Sequence, residues 1–273
     1  MSERHEPLPG SRPGKNKRTD PGTSGAKQEQ EESMAKETSF ETASKSQKKS
    51  RSGHYVPPRR SLTGRFILWL GRLIARRKLL VEISGLEHLP SEAPYVLAAN
   101  HVSYVDGLWI LNALPRKMLP LTCVMVGADM PSDYGLIGKA ATQAARAILV
   151  ERKGNPVRGL IIAKNAILAG NNVLIHPEGT RSHDGRLGEI HSGAAYLAAK
   201  TGRPLIPVYL NGAYEIWPRS KKFPSFKDEQ GQKRRLELIF GENLNADQNP
   251  ERDDLNERLK AWLWKMQAQK LDD

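Results

Sequence analysis

From residue 80 onward the chain alternates short apolar runs with stretches of helical periodicity, and few folds accept that order. Apolar runs at residues 80–83, 95–99, 122–127, 147–150, 172–176, 205–210 and 235–240 read as strands. Residues 107–114, 135–145, 155–169 and 192–201 read as helices, and a last helix is predicted over about residues 251–269. Asn155-Pro156 suits a helix start, where the missing proline N–H goes unneeded, and Gly170 suits its stop. The alternation predicts an α/β fold, a mostly parallel central sheet flanked by helices. In such sheets ligands sit beyond the carboxyl ends of the strands, so the residues just after each run carry the interest. Pro207 predicts a bulge or an edge strand, because proline donates no ladder hydrogen bond.

The first eighty residues differ in texture. Residues 1–60 are rich in Ser, Gly, Pro, Lys and Glu, with too few aliphatic side chains to offset the entropy of ordering. They read as a disordered basic tail. Residues 61–79 follow as an amphipathic helix: Leu62, Phe66, Trp69, Leu70, Leu73 and Ile74 share one side, and Arg65, Arg72 and Arg76 fall on another. A wide apolar face with tryptophan and a basic flank suits a membrane-binding helix lying in the headgroup region, touched through Phe66, Trp69, Arg72 and Arg76. Packing of an ordinary amphipathic helix on the domain accounts for the same pattern. The arginines interrupt the run too soon for a spanning helix, and no stretch approaches the ~20 apolar residues a bilayer requires.

Charge is uneven in the same sense. Residues 1–60 hold 13 Lys/Arg against 8 Asp/Glu, and residues 61–80 hold five cations and no acid, in a chain of net charge +12. The domain at 80–273 is therefore close to neutral, and the basic end points to an anionic surface, lipid or nucleic acid. Cys123 is the only cysteine, so no intramolecular disulfide forms, which fits a reducing compartment. With no apolar run of the signal-peptide kind in residues 1–60, the expected location is the cytoplasmic face of a membrane, bound peripherally.

Four constellations carry chemistry, all but the last directly after a strand. In Asn100-His101-Val102-Ser103-Tyr104-Val105-Asp106, a tight turn would bring the Asp106 carboxylate to Nδ1 of His101 and leave Nε2 to accept a proton from a hydroxyl. A structural histidine bonded to a helix cap is the bland alternative. In His176-Pro177-Glu178-Gly179-Thr180-Arg181-Ser182, Gly179 permits close backbone approach, Arg181 presents a planar fork suited to phosphate, and Glu178 suits a substrate hydroxyl or the positioning of Arg181. A polar turn with an internal Glu–Arg pair explains it as well. Arg152 and Lys153 follow the strand at 147–150 and suit an anion, although most exposed pairs of this kind bind nothing specific. The fourth, Leu205-Ile206-Pro207-Val208, is most simply a buried strand.

In this order and together, the four blocks resemble those of the lysophosphatidate (1-acylglycerol-3-phosphate) acyltransferases and their glycerol-phosphate acyltransferase relatives. Residues 100–106 match the NHxSxxD block with its HxxxxD pair, 148–153 loosely match an acceptor-binding block, 176–182 match FPEGTRS, and 205–208 match IPV. The resemblance covers about residues 60–265. It implies that His101 is the catalytic base and Asp106 its support. It implies that Arg152, Glu178, Gly179, Thr180 and Arg181 hold a phosphate-bearing lysolipid acceptor, and that backbone near Pro207 steadies an oxyanion. The donor would be acyl-CoA or acyl-carrier protein, a co-substrate, with no cofactor and no metal. His176 stands where the family usually carries Phe, and Ile190-His191-Ser192-Gly193 stands where many relatives carry a Phe-Lys stretch, so a lysolipid other than lysophosphatidate is also compatible.

Other classes fit less well. His176 and Glu178 form an H-x-E, but the P-C-x-x-C of the zinc deaminases has no counterpart downstream. Gly135-Leu136-Ile137-Gly138-Lys139 lacks the spacing and the Ser/Thr of a phosphate loop. Nucleic acid is not an expected partner, because Phe40 and Tyr55 are the only aromatics in the basic tail. A transacylase that moves chains between phospholipids with the same His–Asp pair remains open, as does a non-catalytic binding protein.

Overall fold

The computed structural model describes residues 58–130, 135–151, 156–245 and 252–271. Along the chain these form α1 (Leu62–Lys78), β1 (Leu80–Ser84), β2 (Val96–Ala99), α2 (Asp106–Ala113), β3 (Thr122–Gly127), α3 (Gly135–Ala145) and β4 (Ile148–Val150). Then follow α4 (Pro156–Leu168), β5 (Asn172–Ile175), α5 (Gly193–Thr201), β6 (Leu205–Asn211), α6 (Ala213–Ile216), β7 (Arg235–Phe240) and α7 (Arg252–Leu271). The seven strands make one sheet in the order β1-β7-β6-β2-β5-β3-β4. Every pairing is parallel except that of β6 with β7.

Period-two alternation explains why the central strands are apolar throughout. Leu97 and Ala99 of β2, with Ile206, Val208 and Leu210 of β6, face a cluster that includes Leu68 of α1 and Trp109 and Ile110 of α2. Val96, Ala98, Leu205 and Tyr209 turn the other way, toward Ile167 of α4, Leu197 of α5 and Leu255 and Leu259 of α7. Helix α1 seats itself by close backbone approach. A Cβ on Gly64 would lie 2.9 Å from the Ala144 nitrogen of α3. Ser61 caps the helix, its hydroxyl accepting from the Gly64 N–H at 3.1 Å and donating to Gln143 at 2.7 Å.

Three expectations need correction. Pro207 lies in an interior strand, not at an edge. Its carbonyl accepts from Gly241 N–H at 2.9 Å, just where β7 ends, so the missing proline N–H falls beyond the ladder. Residues 58–60, assigned to the tail from the sequence, are packed on the domain. Arg60 donates to the carbonyls of Ala144, Leu119 and Thr122, and the Pro58 carbonyl accepts from Arg146, so buried acceptors hold this end in place. The rest of the expected tail lies outside the described residues. Arg72 is no free headgroup cation, because it donates to the Asn112 carbonyl at 2.6 Å in the last turn of α2, where a cation also suits the helix dipole.

Candidate active site

Strands β2 and β5 are parallel neighbours, so the segments after them emerge side by side at the carboxyl edge of the sheet. That one fact brings together motifs separated by some seventy-five residues. On the far side of β2, Asn100 clamps the end of β6, donating to the Leu210 carbonyl at 3.0 Å and accepting its N–H at 2.8 Å.

The turn after β2 folds around Asp106, which is fully buried at the first residue of α2. Its Oδ2 lies 2.9 Å from His101 Nδ1 and accepts the backbone N–H groups of Val102 at 2.7 Å and Ser103 at 2.8 Å. Its Oδ1 accepts the Ser103 hydroxyl at 2.5 Å. Burial alone would raise the pKa of this carboxyl; the hydrogen bond and charge of His101, with the bond from Ser103, outweigh it and hold the group below its ordinary value. An ionised Asp106 therefore accepts from Nδ1–H and leaves His101 Nε2 as a lone-pair acceptor. The His101 side chain keeps 16% of its area exposed, enough to meet a substrate.

Glu178 is held by backbone at both ends of its carboxylate. One carboxylate oxygen accepts the His101 N–H at 2.7 Å, and the other accepts the Gly188 N–H at 2.9 Å. With both oxygens on backbone amides, Glu178 shapes the pocket by tying its two loops together. Burial pushes its pKa up to about 7, against the opposing pull of those two bonds. The loop closes further where Ser182 N–H donates to the His101 carbonyl at 2.7 Å. Gly179 adopts φ +68°, the left-handed conformation this turn requires, and both it and Thr180 are exposed.

Arg181 lays its guanidinium 3.8 Å from the centre of the Tyr104 ring, which in turn packs on Trp217 at 5.5 Å. A cation is thus held beside the turn that carries His101 and Asp106. Arg152 and Lys153 lie outside the described residues. Pro207 pairs in register with Ala98 of β2, three residues before His101 in the chain.

Sequence reasoning passed over His176 as a participant. Its ring lies flat on that of His101, with centroids 4.1 Å apart and planes 14° from parallel. Its Nδ1 is 3.0 Å from the carbonyls of both Ala99 and Asn100, two acceptors that require a donor there. Desolvation, reinforced by nearby His101, lowers its pKa to about 3, so a neutral ring stacks on His101. An aromatic residue immediately after β5, whose end abuts β2, was the available signal. Among the described residues, no group of three or more His, Cys, Asp or Glu side chains is placed to hold a metal.

Residues 80–211 match the acyltransferase family. The 1-acyl-sn-glycerol-3-phosphate acyltransferase alpha of Homo sapiens is 28% identical over 173 residues, which span 62% of this chain and 58% of that protein. A protein of the same activity name from Pseudomonas aeruginosa is 28% identical over 212 residues, 75% of each chain. The chloroplastic enzyme BAT2 of Brassica napus is 35% identical over 143 residues, 50% of this chain and 39% of that one. Against the human relative, then, the chain spans less than two thirds of the partner's length. Among solved structures, the 1-acyl-sn-glycerophosphate acyltransferase PlsC of Thermotoga maritima superposes with a TM-score of 0.55 at 20% identity, over 74% of this chain and 79% of that one. That likeness is one of fold.

Proposed function

On the premise that residues 80–211 form an acyltransferase domain resembling those of the 1-acyl-sn-glycerol-3-phosphate acyltransferases, we propose that this protein esterifies the free hydroxyl of a phosphate-bearing lysolipid. The observation that carries the reading is the 2.9 Å pair between His101 Nδ1 and buried Asp106 at the carboxyl edge of the sheet.

The chemistry follows from that pair. His101 Nε2 takes the proton of the acceptor hydroxyl, and Asp106 steadies the imidazolium that forms. The alkoxide oxygen attacks the carbonyl carbon of an acyl thioester. A C–O bond forms, the C–S bond breaks, and the departing thiolate takes the proton back from His101. No group on the enzyme is acylated, and the reaction calls on no cofactor beyond the thioester, which is acyl-CoA or acyl-carrier protein. Arg181, backed by Tyr104, lies on the same turn system as the base and suits the acceptor phosphate.

Substrate and product both reside in the bilayer, so the pocket must open onto it. We assign that contact to α1, whose Phe66 and Trp69 stack at 5.6 Å and are each 57% exposed, with Arg65, Arg76, Arg77 and Lys78 also exposed and no acid in the helix. Among the described residues no helix is long and apolar enough to cross a membrane, which fits a peripheral helix. We place the protein on the cytoplasmic face.

The test incubates purified protein with liposomes, radiolabelled acyl-CoA and a panel of lysolipids. Label is expected in diacylglycerol phosphate when lysophosphatidate is the acceptor, and not when its dephosphorylated counterpart is. Labelling of neither, with acyl-CoA or with acyl-carrier protein as donor, would refute the assignment. Transfer that proceeds without any thioester would instead identify a transacylase.

A further inference from the structure

A segment the proposed chemistry does not use sits beside the pocket. After α6 the chain reads Trp217-Pro218-Arg219-Ser220-Lys221-Lys222-Phe223, and from Ile216 to Lys227 there are four cations and no acid. Arg219, Lys221 and Lys222 are exposed, and Phe223 is 73% exposed between Lys222 and Pro224. Lys222 Nζ lies 5.9 Å from the centre of the Phe223 ring, so ring and cation form one exposed patch.

The loop is built, with its own internal bonds. Trp217 Nε1 donates to the Lys221 carbonyl at 3.1 Å, Lys221 N–H to Pro218 at 3.1 Å, and Ser225 N–H to Ile216 at 2.7 Å. It is also joined to the catalytic turn. The Tyr104 hydroxyl donates to the Arg219 carbonyl at 3.3 Å, and Trp217 packs on the Tyr104 ring at 5.5 Å. Arg219 donates to His183 Nε2 at 3.1 Å, and the Tyr214 hydroxyl to the His183 carbonyl at 2.9 Å. Trp217 and Phe226 pack on the same core cluster as Leu68 and Ile67 of α1, which puts the loop and that helix on one side of the sheet.

We propose that the loop at 217–223 is a second lipid-contacting element, inserting Phe223 among anionic headgroups while Lys221 and Lys222 pair with their phosphates. The inference rests on the membrane-surface reading above. The combination of an exposed ring with flanking cations favours a bilayer over an acidic protein, which would require the cations alone. Because Tyr104 links the loop to the His101 turn, this contact sets the pocket mouth against the headgroups from which the acceptor is drawn.

Vesicle co-sedimentation of the full chain tests it, with phosphatidylcholine alone and with phosphatidylcholine containing phosphatidylglycerol. All three side chains are exposed, so substitution leaves the fold intact, and an unchanged thermal midpoint verifies that. Lys221→Gln with Lys222→Gln should lower the partition onto anionic vesicles about thirtyfold, from roughly fivefold per cation, and leave neutral vesicles unaffected. Phe223→Ser should weaken binding to both vesicles about tenfold. If these variants bind like wild type while Phe66→Ser with Trp69→Ser does not, the loop assignment falls and the membrane reading stands. If wild type binds neither vesicle, both fall. If vesicle binding is unchanged but transfer from acyl-carrier protein alone is lost, the loop docks that acidic donor and the lipid assignment is wrong.

Discussion

Asp106 commits both oxygens to the five residues before it, and this makes the geometry of His101 a local property of one turn. An amide there cannot accept from all of its neighbours. Asp106→Asn would turn an N–H toward the Val102 and Ser103 amides or toward the imidazole, and would remove the charge opposite the imidazolium. We expect kcat to fall by about 10^3–10^4-fold with KM little changed and the thermal midpoint nearly retained, measured as steady-state acyl transfer. Local geometry is also why this pair was legible in the sequence: a five-residue spacing after an apolar run leaves the carboxylate few other places to go. Glu178 was not legible in the same way. Its partners are backbone amides 77 and 10 residues distant, and backbone carries no residue identity to read. The His176 stack is likewise a product of β2 lying next to β5, a pairing that no local pattern encodes.

At the scale of elements, α1 presents two faces. Gly64, Leu68 and Ala75 are buried against the domain, while Leu62, Phe66 and Trp69 are exposed. The docked-helix reading accounts for the buried face, and the proposed membrane contact concerns the exposed one. Phe66→Ser with Trp69→Ser should cut vesicle partitioning about a hundredfold, taking roughly 1.5 kcal/mol for each ring withdrawn from lipid, and leave the thermal midpoint unchanged. Gly64→Leu should do the reverse and lower the midpoint, because a side chain there meets the backbone of Gln143 and Ala144. The strands were readable because runs buried on both faces are apolar at every position, as in the fully buried Val96–Ala99. The four-residue α6 is shorter than any periodicity can reveal. Pro207 misled because its tolerance depends on where the partner strand stops.

Across the whole molecule, parallel order does the positioning. With β2 between β5 and β6, residues 100–106, 176–182 and 210–217 converge on one edge of the sheet. The strand–helix alternation foretold a parallel sheet but not the strand order, which depends on crossovers between distant segments. Charge follows the same geometry. Ile67 and Leu68 of α1 and Trp217 and Phe226 around the loop at 217–223 pack on one core cluster, so both basic segments are anchored on the same face of the sheet. The central claim is that His101 removes the acceptor proton. The direct measurement compares wild type with His101→Ala in liposomes containing lysophosphatidate and radiolabelled acyl-CoA. The account predicts label in the diacyl product for wild type, a rate lower by about 10^2–10^4-fold in the variant, and unchanged vesicle binding by both. Transfer by His101→Ala at the wild-type rate would contradict it.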